Sequence, residues 1–390
     1  MRGGNKVIGL SVMLSAANIV GSSGLMVWID HSIRQNKFYL SAYSPLVLYL
    51  SGLSVGCCAI GWLSYKNIDN ATTLIKSRKI FFLLLCGALF AVCLSLAAGD
   101  SAAVEWLDGV LRFFWGLLSG FAVILARTML VLPDQGYRSQ TNFSILSLAL
   151  ACLPVMIPVS LSLGGFYQRT ASAIVAAGLY FMCMVIVKSM DFDLQRLSVA
   201  PQGGVFKYST LLDVANLITL NVCFFLLLML VPMINEYGFP GRDISSMYAG
   251  FLLLWVLMGV GCIRVGPSYS KAVRFKVGVW VQCCMLLCCV LLLFYQVSGL
   301  FFAVVALAFL ANMLMQPVLF LSLGSDVKYR TLLFGFQSGL YIFMVCGLLL
   351  GVVYFELGMQ YVFGIFCCLA LLSLLFSCVS IVITNRFNTN

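Results

Sequence analysis

Twelve apolar runs follow one another along this chain, at 7–29, 42–63, 80–99, 108–132, 142–165, 171–188, 211–234, 245–264, 276–298, 300–323, 331–355 and 360–384. Each has the length at which a helix crosses the hydrocarbon core, about 20 residues at 1.5 Å per residue. In lipid the backbone must satisfy its own hydrogen bonds, so such runs are helical. The composition agrees. Hydrophobic residues make up 62% and charged residues 9%, with a mean hydropathy of +1.05, whereas a soluble domain carries about 25% charged residues. The run at 7–29 is too long for the apolar core of a secretory signal and is followed by a second span, so it reads as the first transmembrane helix. The expected fold is an all-α membrane protein of twelve transmembrane helices.

Every connection is short except 189–210, which contains DFDLQRLSVAPQGG, polar with Pro201 and the pair Gly203-Gly204. It divides the chain into six-helix bundles at 1–188 and 211–390, joined by a cytoplasmic linker at 189–210. Basic residues collect on alternate connections. Lys66, Lys76, Arg78 and Lys79 lie in one, Arg264, Lys271, Arg274 and Lys276 in another, while the opposite side has Arg34, Lys37, Arg112, Arg169 and Arg242. Cytoplasmic loops retain Lys and Arg, so both termini and the linker are expected in the cytoplasm.

The net charge of +10 does not point to nucleic acid, because the basic residues are scattered among short loops. The sixteen cysteines include Cys57-Cys58, Cys283-Cys284, Cys288-Cys289 and Cys367-Cys368 inside apolar runs, where cysteine packs as a small hydrophobe. With His31 the single histidine, no metal site is expected, and no cofactor either. Nucleotide-binding glycine loops and Ser/His/Asp sets are missing, and no loop is long enough to hold a soluble domain. An enzyme is not expected. A membrane-embedded enzyme acting on lipid-linked substrates would want acidic or histidine residues clustered at one membrane face, and the sequence has no such cluster.

The stretch 111–165 carries the most detail. Arg112, Gly116 and Gly120 are spaced by four and share one helix face, where two glycines let another backbone approach closely. The next run contains Pro154 and Pro158, then Gly164-Gly165. Prolines bend a spanning helix and are tolerated where neighbours re-satisfy the freed carbonyls. Arg-x-x-x-Gly-x-x-x-Gly, then Ala126-Arg127, Pro154-x-x-x-Pro158 and Gly164-Gly165, resembles the fourth and fifth helices of the major facilitator superfamily. Within it the pattern is most similar to the drug–proton antiporter branch typified by bicyclomycin and chloramphenicol resistance proteins. The glycine pair falls slightly later than in that branch. MINEYGFPGRDISSMYAGFLLLWVLMGVGCIRV resembles the branch's seventh and eighth helices. The resemblance implies two six-helix bundles that rock around a midplane site.

The superfamily's signature loop follows the second helix as Gly-x-Leu-x-Asp-Arg. Here Gly61 and Leu63 match, Lys66 stands for the arginine, and Tyr65 replaces the aspartate. In the family that aspartate helps hold the halves together on the cytoplasmic side, so the resemblance assigns Gly61 and Lys66 to a gating loop that lacks its acidic member.

Ionisable groups within the bilayer are costly and mark function by default. Asp30 falls at the outer end of the first span, where the antiporter branch carries a proton-binding carboxylate, and desolvation there raises a carboxylate's pKa. The plain alternative is a solvated residue beside His31. Arg112 matches the branch's cavity-facing arginine, which answers proton loss from the first helix. Its alternatives are an arginine snorkelling to the interface and one held by Asp108, one turn earlier. Asn18, Asn216, Asn221, Asn312 and Gln316 are candidates for the substrate cavity, with Gln282 and Gln337 as further amides within apolar runs; the alternative for each is packing and hydrogen bonding between helices. Asn312 and Gln316 lie four apart with Pro317 next, giving the tenth helix a polar face. Asp213 reads as a charge at the start of the seventh helix.

The expected function is proton-coupled export of a small amphipathic organic compound (a drug, metabolite or siderophore-like molecule). The expected partners are that substrate, protons and the lipid bilayer, with no nucleic acid, and the chain is expected to be a monomer in the bacterial inner membrane. Proton-coupled import of a metabolite is the alternative, and a transporter-like sensor or scaffold is the other, since Tyr65 interrupts the signature. The topology is testable. Reporter fusions at Gly203 and Asn390 should report the cytoplasm and one at Gly238 the outside, and a reversal at any of them overturns the orientation.

Overall fold

The computed structural model describes residues 9–18, 39–66, 78–98, 105–130, 169–189, 208–229, 257–261, 271–322, 327–354 and 358–388. Among them are eleven helical segments: α1 (9–18), α2 (Tyr39–Lys66), α3 (Arg78–Ala98), α4 (Glu105–Leu130), α5 (Arg169–Lys188), α6 (Tyr208–Met229), α7 (257–261), α8 (Lys271–Tyr295), α9 (Ser298–Ser322), α10 (Val327–Tyr354) and α11 (Met359–Asn388). α2, α4, α8, α9, α10 and α11 are long and apolar enough to cross a membrane. They correspond to the second, fourth, ninth, tenth, eleventh and twelfth runs. The fifth run, with Pro154 and Pro158, lies outside the described residues, as does Asp30.

Two boundaries differ from the hydropathy reading. α8 begins at Lys271, so Arg274 and Lys276 belong to its first turns and not to the preceding loop, and Arg274 is buried. α8 and α9 part at Gln296-Val297 and not at Ser298-Gly299. Gln296 has φ 45°, a left-handed conformation that ends helices. Its N–H still bonds the Leu292 carbonyl at 3.0 Å. The Val297 carbonyl then accepts the N–H of Leu300 (3.0 Å) and of Phe301 (3.3 Å), starting α9.

α2 is the centre of the packing, in contact with α4 on one side and α10 on the other. α3 packs on α4 and α5; α6 packs on α9, α10 and α11; α8 packs on α9 and α11. Large apolar side chains such as Leu83, Phe90, Phe181, Trp280, Phe294 and Phe343 remain exposed along the outer helix faces. An apolar outer face of this extent is suited to lipid, not to water.

Glycine makes the α2–α4 contact. A Cβ on Gly52 would fall on the Phe113 carbonyl, on Gly56 on the Leu117 carbonyl, and on Gly116 on the Tyr49 carbonyl. One on Gly120 would lie 2.6 Å from the Leu53 carbonyl oxygen. Each helix thus contributes a Gly-x-x-x-Gly face to the other, and the paired residue numbers rise together, so the two run parallel. Without a hydrophobic force between helices in lipid, this backbone-to-backbone fit is the main source of their attraction. Gly116→Val is therefore expected to destabilise the protein by about 1–3 kcal/mol through overpacking. Gly178→Ala on α5, where a Cβ meets nothing within 4 Å, should leave stability unchanged or raise it. Thermal unfolding of the purified variants in detergent measures both.

Candidate functional site

Among the described residues of the first half, one ion pair is buried. Asp108 and Arg112, one turn apart on α4, meet with Arg112 Nε donating to Asp108 Oδ2 at 2.7 Å, their side chains 5% and 2% exposed. Arg112 therefore neither extends along the lipid face nor reaches the surface. Its Nη1 is fully buried with no hydrogen-bond partner. Helix periodicity brings the pair together, and Gly116, one turn on, fixes this part of α4 against α2. Removing one member of a buried pair strands the other charge, at a cost of about 3–5 kcal/mol.

Beside it runs a polar chain through four helices. Tyr49 on α2 donates to Asn18 Oδ1 on α1 at 2.9 Å. Trp115 Nε1 on α4 donates to the Tyr180 hydroxyl on α5 at 2.9 Å, and that hydroxyl is also hydrogen-bonded to Ser119. Tyr180 lies 3.4 Å from Asn18 Oδ1, closing the chain, and Tyr49 and Trp115 pack edge to face at 5.1 Å. The sequence reading singled out only Asn18 among these. The aromatics carry no spacing that separates them from the other Tyr and Trp residues.

The second half has a matching uncharged cluster. Asn216 on α6, Gln282 on α8, and Ser373 and Ser377 on α11 are buried together. Asn216 Nδ2 donates to Ser377 Oγ (2.6 Å), Gln282 Nε2 to Asn216 Oδ1 and to Ser373 Oγ (both 2.9 Å), Ser373 Oγ to Asn216 Oδ1 (2.7 Å) and Ser377 Oγ to Gln282 Oε1 (2.7 Å). One turn away Ser380 donates to Asp213 at 2.8 Å, so Asp213 bonds to α11 as well as standing near the start of α6. Asn216, placed in the substrate cavity by the sequence, is here occupied in joining three helices. Asn221 is buried on α6 and Gln337 on α10. Asn312 donates to the Ala308 carbonyl at 3.2 Å, and its Oδ1 is buried with no partner. Gln316 lies one turn further along α9.

The halves meet where α2 packs on α10. Ser54 Oγ donates to the Gly339 carbonyl at 2.8 Å. A Cβ on Gly335 would lie 2.6 Å from the Cys57 carbonyl oxygen and 2.8 Å from the Gly61 Cα; one on Gly339 would strike Cys58 Sγ. The numbers run in opposite senses, so the helices are antiparallel and the seam leads towards Lys66, the last residue of α2, and Val327, the first of α10. Gly61, assigned from the signature loop, thus contacts α10 through backbone. The contact is made by small residues and a serine.

No protein-family model and no curated protein matches the chain. A solved structure does, that of the human organic anion transporter MFSD10 (TETRAN), with a TM-score of 0.66 at 12% identity, over 97% of this chain and 100% of that one. The chain has the major facilitator fold. It is a multi-pass membrane protein.

The seam can be trapped. The Cys346 thiol on α10 lies beside Ser51 on α2. With the other cysteines replaced, Ser51→Cys should form a disulfide with Cys346 under mild oxidation, seen as slower proteolytic separation of the halves on a non-reducing gel. Lack of cross-linking would contradict this packing.

Proposed function

We propose that the chain is a secondary active transporter, not an enzyme, that exports a small amphipathic organic compound in exchange for inward proton flow. The observation that carries this reading is the Asp108–Arg112 pair, sealed within an apolar bundle of the major facilitator fold. Charges are retained at such depth where they serve transport. The neighbour named for organic anions shares the fold, which supports transport as the activity and leaves the substrate to be argued from this chain. The resemblance to the drug–proton antiporter branch supports exchange with protons. In this reading Asp30 carries the proton, Arg112 answers its charge, and Asn312 and Gln316 contribute to the substrate cavity. The membrane is read as a bacterial inner membrane, and the loop charges support cytoplasmic termini, an orientation in which the α2–α10 seam is the cytoplasmic closure.

Reconstitution in proteoliposomes under an imposed pH gradient, with a panel of drugs, siderophores and amino acids, tests the reading. Substrate should move against the proton flux. Asp30→Asn should retain substrate binding and lose gradient-driven transport, and Arg112→Ala should lose transport. Normal transport by Asp30→Asn, with an unchanged pH optimum, would move the proton site elsewhere. Movement of no compound under any gradient would remove the transport reading.

A further inference from the structure

We infer that three amides of the second half, Asn221, Asn312 and Gln337, form the polar side of a substrate site for an uncharged planar compound with an N–H beside a carbonyl, a lactam or other cyclic amide. This rests on the transporter reading above and names its substrate class. The three come from α6, α9 and α10 and are 5%, 8% and 5% exposed. Two aromatic contacts put them at one level. Phe224 on α6 has its ring 6.4 Å from that of Phe309 on α9, and Phe225 stacks on Tyr341 of α10 at 5.3 Å. The pairs Asp213–Ser380 and Asn216–Ser377 run in opposite senses, so α6 is antiparallel to α11. Short connections, 323–326 and 355–358, join α10 to α9 and to α11, so both of these run against α10. α6 is therefore parallel to α10 and antiparallel to α9. Asn221 precedes Phe224 by three residues and Phe225 by four, Asn312 follows Phe309 by three, and Gln337 precedes Tyr341 by four. Each amide thus shares a helix face with its aromatic neighbour, one turn away and in the same direction along the bundle.

The substrate chemistry follows from what these groups lack. Asn312 spends Nδ2 on the Ala308 carbonyl at 3.2 Å. That bond fixes which way round the amide stands, since the reverse would set two oxygens together. Oδ1 is left buried with no donor, which is unfavourable. An N–H that arrives and leaves with a substrate supplies it. Asn221 and Gln337 each carry an NH2 as well as a carbonyl, and an NH2 is what the substrate's own carbonyl requires. These three helices offer no charge here: α6 beyond Asp213, α9 throughout and α10 from 332 onward contain no Asp, Glu, Lys or Arg. An ion held among them would be desolvated without a counter-charge. The rings of Phe224, Phe225, Phe309 and Tyr341, one turn away, suit a flat body. Gly335 and Gly339 lie on the far side of α10 from Gln337, against α2. The helix that carries one wall of the site therefore also closes the seam between the halves, and the site, enclosed here, fills as that seam parts.

The inference is tested by binding to full-length protein in nanodiscs with three flat probes: quinolin-2-one, its N-methyl derivative, which lacks the N–H, and quinoline-2-carboxylate. The wild type should bind quinolin-2-one about tenfold more tightly than the N-methyl compound, and the carboxylate least. Asn312→Leu should level the two neutral probes. Asn221→Leu and Gln337→Leu should weaken both neutral probes alike, because both carry the carbonyl. Since Asn312 Oδ1 is unsatisfied, Asn312→Leu should keep or raise the thermal transition. An amide that only packs between helices predicts equal wild-type affinities for the neutral probes. That result, an unchanged ratio in folded Asn312→Leu, a preference for the carboxylate, or no probe bound by the wild type overturns the inference. Where a variant does not fold, the wild-type ratio decides alone. Flux in proteoliposomes separates the two readings. An N–H preference without flux removes transport alone, and flux without that preference removes the present inference alone.

Discussion

The close approach of α2 to two helices at once governs this structure. On one face Gly52 and Gly56 admit the backbone of α4, whose Gly116 and Gly120 admit α2 in return; on another, Gly335 and Gly339 bring α10 against Ser54, Cys57 and Gly61. Apolar side chains are equally content against lipid or protein, so burial of such surface does not choose partners here. Fit does, and fit at backbone distance needs the absence of side chains. The same helix therefore belongs to its own half through one glycine face and touches the other half through neighbouring positions.

The two contacts differ in kind. The α2–α4 face is glycine on glycine and fixes Arg112 and Asp108 in place. The α2–α10 face is relieved by a hydroxyl donated to a carbonyl and by small residues. A seam of this sort gains little from desolvated charge and loses little when it parts. That suits a surface that must open. Inside each half the polar groups are shared among three or more helices, as in the Asn216, Gln282, Ser373 and Ser377 cluster. Interhelical hydrogen bonds in membranes average about 0.6 kcal/mol each, so such clusters set which helix faces which more than they add stability.

What the sequence disclosed follows from the range of its signals. Hydropathy over some twenty residues located the six helices that are long and apolar enough to cross a membrane among the described residues, because lipid imposes length. The four-residue spacing of Gly116 and Gly120 was legible because a helix converts spacing into a face. The relation of Gly335 and Gly339 to α2 was not, although they carry the same spacing, since no local pattern names the partner. Tyr49, Trp115 and Tyr180 were lost among abundant aromatics. Asn216 and Gln282 were visible as amides within apolar runs, but whether an amide faces a cavity or another helix depends on what lies across from it. At the α8–α9 junction Gly299 misled, because glycine reads as a helix breaker, whereas Gln296 takes the left-handed turn and Gly299 sits in the first turn of α9.

That junction also bears on how the chain is made. Only Gln296 and Val297 separate α8 from α9, a tight connection of the kind that joins antiparallel helix pairs. Such a turn carries no charge and exposes few backbone groups, so it can cross the bilayer at small cost, whereas α8 alone would leave its basic first turns without a counterpart on the far side. α8 and α9 are thus built to enter the membrane together, as one hairpin, with Lys271, Arg274 and Lys276 gathered at its open end.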